Sequence, residues 1–329
     1  MILILTTPQD GAASRGEALL RARGIETLRV DGAFPSEASL HLRWERSGAC
    51  ARWLSFRDRR IDLADVRAVW HRRVRIECSP RIRDRRAMEY AVAESKHLLR
   101  NLWMDLAAPW VPAPQPISVD AEEKLRQLSL AASLGFEIPP SLVTNEPRQL
   151  LAFWREHRGQ VITKLLASPS LRESGLDRTY ARFTETMTHR DLAALQSVEL
   201  CPTFAQAYVP KHVELRITIV NDRVFAAAIH SQRSAHSRVD WRKYDLARAS
   251  YERHALPPEI EARCVALTRK LGLRYGAIDM ILTPDGRYVF LELNPTGEYS
   301  WIEAYTGLPI TEAICDLLVD LARSGAAPA

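Results

Sequence analysis

The stretch YGAIDMILTPDGRYVFLELNP, residues 275–295, decides how this chain is read. Two apolar runs flank Thr-Pro-Asp-Gly, the pattern of two strands joined by a tight turn. Centring the turn on Asp285–Gly286 puts Asp279 opposite Glu292 and Ile281 opposite Phe290 on one face. Ile278 then opposes Leu293, and Met280 opposes Leu291, on the other. Asn294 shares the face of the two acids because strand side chains alternate with period two. Like charges directly opposed destabilise a strand pair, and an unpaired carboxylate among apolar neighbours is costly. A cation between them resolves the conflict. Mg²⁺ suits the set, since it takes oxygen ligands and commonly uses one or two carboxylates beside phosphate oxygens. A register slipped by one residue would place the acids on opposite faces, one meeting solvent or an arginine.

A metal that carries a nucleotide calls for phosphate-binding cations elsewhere. Lys164 interrupts the apolar strand VITKLL, where a cation is costly without an anion, and Lys124 sits early in a helical pattern. Glu214 and Arg216 share one face of the strand VELRITIV. Arginine offers bidentate recognition of phosphate or carboxylate, while a cross-strand ion pair between neighbours is the equally open alternative. Arg242 lies in the polar segment VDWRKYD, residues 239–245.

The chain has 329 residues, 47% hydrophobic and 26% charged, which suits an ordinary globular protein of two or three compact units. Its net charge is only +5, but twelve arginines crowd residues 52–86 against five acids. Such a zone attracts phosphates or acidic peptides, or is a solvated face. Without basic–aromatic interleaving or a helix-turn-helix pattern, nucleic acid is not the expected partner. Cys50, Cys78, Cys201, Cys264 and Cys315 are scattered without zinc-ligand spacing. With no signal-peptide pattern and no apolar run of membrane-spanning length, cytoplasmic residence and no membrane partner are expected.

The opening, MILILTT then SRGEALLRARG then IETLRV, reads as strand, helix, strand, with Gly24 where the helix stops. Its first turn lacks G-x-G-x-x-G, so nothing beyond topology suggests a dinucleotide, and Asp31 is read as a turn residue. RAVWHRRVRI reads as a further strand. The following helix, DRRAMEYAVAESKHLLRNLWMDL, presents Met88, Val92, Leu99, Trp103 and Leu106 on an apolar face. APWVPAPQPISVD, residues 108–120, holds four prolines and reads as an extended, exposed connector between domains. AEEKLRQLSLAASLG reads as a helix, residues 168–182 as a mobile lid, and the part from 203 onward as strand-rich, with a hairpin at 221–223.

Taken in order, Lys124, Lys164, QAYV (206–209), ELR (214–216), Asp279 and ELN (292–294) resemble the motif series of ATP-grasp carboxylate–amine/thiol ligases over residues 120–320. VWHRR, LVTN, KHVELRITIV, VDWRKYD, LGLRYGAIDM, LELNPTGEYSWIE and TGLPI extend the resemblance along nearly the whole chain to the microviridin-type, or graspetide, peptide ligases. That resemblance implies an α/β, ATP-grasp fold in which two α+β subdomains clasp ATP. Residues 1–118 would form a βαβ pre-ATP-grasp domain, 119–200 a central subdomain with the lid, and 201–329 the subdomain with the adenine hinge and Mg²⁺ site.

By the same resemblance Lys124 and Lys164 would hold ATP phosphates, and Gln206, Tyr208 and Val209 would line the adenine hinge. Glu214 would meet the ribose, Arg216 and Arg242 the phosphoryl and acyl groups, and Asp279, Glu292 and Asn294 would ligate Mg²⁺. The implied reaction activates Asp or Glu side chains of a ribosomal precursor peptide as acyl phosphates and joins them to Thr/Ser hydroxyls or Lys amines. The partner is that precursor, leader plus core, with Arg72 and Arg73 as candidate leader contacts; a homodimer is compatible with this. Two alternatives stay open: an ATP-grasp ligase that appends an amino acid or small amine to a protein or metabolite, and a non-catalytic nucleotide-binding interaction protein. Family members often continue NP with Asn-Gly-Gln-Trp, whereas Thr296, Gly297, Glu298 and Tyr299 follow here, so substrate preference is looked for at Glu298.

Overall fold

A computed structural model describes residues 1–77, 79–166, 170–172, 179–181, 184–230 and 250–324. The strands Thr27–Val30, Ile2–Leu5, Ala68–His71 and Trp110–Val111 lie in that order in a parallel sheet. The first two are joined through the helix Gly11–Ala22, whose N-terminus is capped by the Asp10 carboxylate accepting from Ala13 N at 3.0 Å. Gly24 stops this helix, and Gly135 a later one, in the left-handed conformation. An antiparallel meander over Ala38–Trp44, Cys50–Phe56 and Arg59–Asp62 is appended.

Two expectations for this half need correction. The helix Arg85–Asp105 buries Leu99, Leu102 and Trp103, but Met88 is exposed, so only its C-terminal half packs. The proline-rich segment is not an exposed spacer. Trp110 and Val111 are buried as an edge strand, and Gln115–Ala121 is a helix with Pro116 in its first turn. The N–H groups of a helix's first turn have no intrahelical acceptor, so a proline there removes no helical hydrogen bond.

The remainder carries two antiparallel sheets. One orders Ser141–Thr144, Thr203–Ala207, Val161–Lys164 and Glu185–Thr186. The other orders Tyr251–Arg253, Arg223–Ile229, Val213–Val220, Tyr275–Leu282 and Tyr288–Asn294. Asn221 and Asp222 make the predicted hairpin turn, since Val220 pairs with Arg223. Of the segment read as a lid, Ser170–Arg172 and Thr179–Ala181 pair as antiparallel strands, and the rest of it lies outside the described residues. Among the described residues no helix is long and apolar enough to cross a membrane. Cys50, Cys201, Cys264 and Cys315 are free thiols, and Cys78 lies outside the described residues.

One core is shared between the first and last parts of the chain. Ile2, Ile4 and Trp70, from one face of the parallel sheet, join Val220 and Tyr275 and the helix residues Ile310, Ile314 and Leu318. Each such apolar side chain contributes roughly 1.5–3 kcal/mol on burial, enough to hold the N-terminal sheet against the second antiparallel sheet. The opposite face of the parallel sheet packs Leu3, Leu5 and Val69 against Trp103 and Trp110.

His71 ends the third parallel strand, buried beside Trp110. Burial alone pushes its pKa down from 6.5 to about 4. The unfolded chain takes up this proton near pH 6.5 and the folded one only near 4, so stability present above 6.5 is lost as the pH falls between them. The gap is worth about 3 kcal/mol. Denaturant unfolding of His71→Phe at pH 7 and pH 4 is expected to show a loss smaller than the wild type's by about that amount.

Candidate active site

The site is built on three neighbouring strands of the five-stranded sheet. Arg216 pairs directly with Asp279 across one strand boundary, and Asp279 with Glu292 across the next. The acids are therefore opposed as the alternation predicted, with Asn294 one pleat further on, opposite Ala277. Toward the turn the register differs. Met280 pairs with Phe290 rather than Leu291, Ile281 with Val289 rather than Phe290, and Leu282 with Tyr288. A β-bulge at Leu291 absorbs the shift, and the turn is the five residues 283–287, closed by Thr283 N donating to Arg287 O and Gly286 N donating to Thr283 O, each at 3.0 Å. Phe290 and Leu293, three residues apart, consequently enter the same core cluster with Ile278 and Met280, while Glu292 and Asn294 stay half-buried on the other face.

The conflict of the paired acids is met in part by the protein's own cations. Arg216 Nη1 donates to both Asp279 oxygens at 2.9 and 3.0 Å, and Asn294 Nδ2 donates to Asp279 Oδ2 at 3.2 Å. Burial alone would depress the Arg216 pKa, but the Asp279 charge outweighs it and the net direction is upward. Lys124 Nζ lies 3.8 Å from Glu292 Oε2 and donates to Leu165 O at 2.7 Å, which links the Glu292 strand to the residue after Lys164. Gln127, on the same helix, is buried and exchanges hydrogen bonds with the backbone N–H and C=O of Leu293 at 2.8 and 2.7 Å. It fixes the helix that carries Lys124 to the strand that carries Glu292. No spacing rule would single out this glutamine.

Lys164 ends the strand Val161–Lys164 and is half-buried. Across that sheet Ile162, Gln206 and Ser141 form one row. Gln206 is fully buried and donates to Ser141 Oγ at 2.9 Å, and its Oε1 has no hydrogen-bond partner among the described residues. Tyr208 and Val209 follow at once, half-buried, on the connection to the strand of Glu214 and Arg216, with Tyr208 N donating to Gln160 O. Glu214 accepts from Lys211 at 2.9 Å, a lysine that sequence reasoning passed over, while Arg216 makes the cross-strand ion pair with Asp279. Arg242 lies outside the described residues. The chain thus brings Lys124, Arg216, Asp279, Glu292 and Asn294 within direct or one-step contact, and places Lys164 and Gln206 to Glu214 along the connected strands.

The donor set fits Mg²⁺. Two carboxylates and a carboxamide oxygen share one face, opposed across a strand pair and partly open, and Asn294 turns its amide nitrogen to Asp279, which leaves its oxygen for another partner. Among the described residues no cluster of three acidic, histidine or cysteine ligands exists, so a metal here depends on the mixed set.

The contacts around the loop after Asn294 bear on two expectations. Arg72 is only 5% exposed, between the carboxylates of Asp10 and Glu298, and cannot form a docking surface for a leader; Arg73 is exposed. Glu298 is half-buried and held at both carboxylate oxygens. One of its oxygens accepts from Arg72 Nη2 at 2.9 Å, and the other from the backbone N–H of Tyr299 and Ser300 and from Ser300 Oγ. Burial opposes ionisation of Glu298, but Arg72 and Ser300 hold its pKa below the usual value. Gly297 is required by packing: a Cβ there would lie 2.5 Å from both Arg216 Nη2 and Ala277 Cβ.

Comparison with known proteins agrees with this geometry. A family profile described as the MvdD pre-ATP grasp domain matches residues 1–118, and one described as the RimK-like ATP-grasp domain matches residues 121–318. Among solved structures, the macrocyclase MdnC bound with precursor peptide MdnA, from Microcystis aeruginosa MRC, is 34% identical, with a TM-score of 0.86 over 97% of this chain and 99% of that one. The RiPP-associated ATP-grasp ligase of Chryseobacterium gregarium, in complex with ADP and a leader and core peptide, is 29% identical, with a TM-score of 0.88 over 97% and 96%. The macrocyclase MdnB from Microcystis aeruginosa MRC is 32% identical, with a TM-score of 0.79 over 97% and 98%. A search of curated protein sequences gave no match. This chain belongs to the RimK-like ATP-grasp ligases, ADP-forming enzymes, in the microviridin-type branch that carries an MvdD pre-ATP-grasp domain.

Proposed function

We propose that the protein is a peptide macrocyclase that joins Asp or Glu side chains of a ribosomal precursor to Thr/Ser hydroxyls or Lys amines of the same peptide. The observation that carries this reading is the cross-strand row of Arg216, Asp279 and Glu292, with Asn294 beside it, facing the strand that ends in Lys164 through Lys124. A substrate carboxylate oxygen attacks the γ-phosphorus of ATP and ADP leaves, giving an acyl phosphate. A hydroxyl or amine then attacks the acyl carbon and phosphate leaves, so that the peptide loses the elements of one water, which leave with ADP and phosphate. Lys124 and Lys164 would orient the phosphates. Arg216, held by Asp279, would face the transferring phosphoryl group, and a fixed guanidinium of this kind costs no reorganisation as charge develops. Glu214 would take the ribose, and Gln206, Tyr208 and Val209 the purine. Arg242 belongs to the same proposal as an acyl-facing cation. Asp279, Glu292 and Asn294 would hold Mg²⁺, which supplies charge neutralisation on the phosphates. The precursor, its leader included, is the partner this reading requires.

Incubating the enzyme with MgATP and a peptide that carries Asp/Glu and Thr/Ser/Lys residues, encoded beside it, tests the reading. Loss of one water's mass per ring together with ADP is the expected result. A gain in mass would point to appended amino acids or amines, and nucleotide binding without any ADP would remove the ligase reading.

A further inference from the structure

The loop between Asn294 and Ser300 is gripped from both domains. Tyr275 Oη donates to Gly297 O at 2.5 Å, and Arg216 Nη2 donates to Glu298 O at 3.2 Å. On the far side the Glu298 carboxylate accepts from Arg72, the residue that follows the strand Ala68–His71 of the N-terminal sheet. Arg72 is itself fixed: Nε donates to Asp10 Oδ2 at 2.9 Å and Nη2 to Oδ1 at 3.3 Å, with the rings of Trp70 and Tyr299 at 5.8 and 5.2 Å. Asp10 caps the first helix. A continuous chain of contacts therefore runs from that helix through Asp10, Arg72 and Glu298 to Arg216 and on to Asp279.

We propose that Glu298 and Arg72 are positioning residues, through which the N-terminal domain sets where the Arg216 guanidinium stands. The loop cannot shift without moving Arg216, because Gly297 packs against Nη2 with no room for a methyl group and Glu298 O accepts from the same nitrogen. A displacement of about 1 Å at a reacting centre is enough to lose about 10²-fold in rate. Position 298 also calls for a carboxylate, not a carboxamide. An ionised acid only accepts, which suits the donors of Arg72, Tyr299 and Ser300, whereas a glutamine would turn its NH₂ toward Arg72 or toward the backbone N–H groups.

This inference rests on the reading of Arg216 as the phosphoryl-facing cation, and the test separates the two. Calorimetric titration of the full-length wild type, Glu298→Gln and Glu298→Ala would use a non-hydrolysable MgATP analogue and MgADP. Arg72 keeps its Asp10 partner in both variants, which are therefore expected to fold, as their melting curves would check. The analogue is expected to bind about tenfold more weakly to the variants and MgADP within twofold of wild type, since only the analogue places a phosphoryl group before Arg216. In the Glu298→Ala background, Arg72→Lys should add little further loss, because the two act in series. Equal losses for both nucleotides would make Glu298 a support of the fold alone and overturn the proposal, as would an unchanged ratio in both variants. A wild type that binds neither nucleotide would sink the functional reading itself.

Discussion

Glu292→Gln is expected to reduce ADP formation by at least about 10²–10³-fold, the range seen when one fixed electrostatic partner of a reacting group is removed. Glutamine keeps the size of the side chain and one acceptor oxygen, so the strand pairing with Asp279 survives. What is lost is the charge that faces Lys124 and completes the oxygen set with Asp279 and Asn294. Melting with and without Mg²⁺ sharpens the result: the wild type should gain stability from the ion and the variant should gain less. Full turnover by Glu292→Gln would refute the assignment of this face to magnesium and phosphate.

Arg216→Met should combine a loss of activity of similar size with a loss of stability. Arg216 and Asp279 are both largely buried, and removing one member of such a pair typically costs on the order of 3–5 kcal/mol because the other charge is left uncompensated. Here the abandoned Asp279 also faces Glu292 across the strand. Mg²⁺ should therefore stabilise this variant more than it stabilises the wild type, as the ion takes the place of the lost counter-charge. Denaturant unfolding in the presence and absence of Mg²⁺ measures this directly. Arg216→Lys should keep part of the stability, since a lysine can pair with Asp279 but lacks the second nitrogen that reaches Glu298 O.

The sequence was most legible where the chemistry is local. Alternation around an Asp-Gly turn placed Asp279 opposite Glu292 and Asn294 on their face, and the structure has that arrangement. Counting from the turn failed for Met280, Ile281 and their partners, because a bulge inserts a residue without any change of composition that announces it. The proline-rich segment misled for a different reason: Pro116 in a helix's first turn and Pro112 beside a buried edge strand look the same in one dimension as prolines of an exposed spacer. The chain from Asp10 through Arg72 to Glu298 was out of reach altogether. Its members lie 62 and 226 residues apart, and only the shared core beneath them brings the segments together. Arg72 and Glu298 were both picked out, one as a leader contact and the other for substrate preference, but their contacts with each other, with Asp10 and with Ser300 were not visible in that reading.

The bulge at Leu291 has a use for the protein engineer. It isolates the exposed turn residues 284–287 from Asp279 and Glu292, because any extra length taken up on the turn side need not be passed along the ladder. A peptide tag or a dye-bearing cysteine can be grafted between Pro284 and Arg287 while the acids keep their facing. Deleting the single residue Leu291 would close the bulge into a regular ladder, with Phe290 opposite Met280 and Glu292 still opposite Asp279, so the acids keep their facing in that variant too.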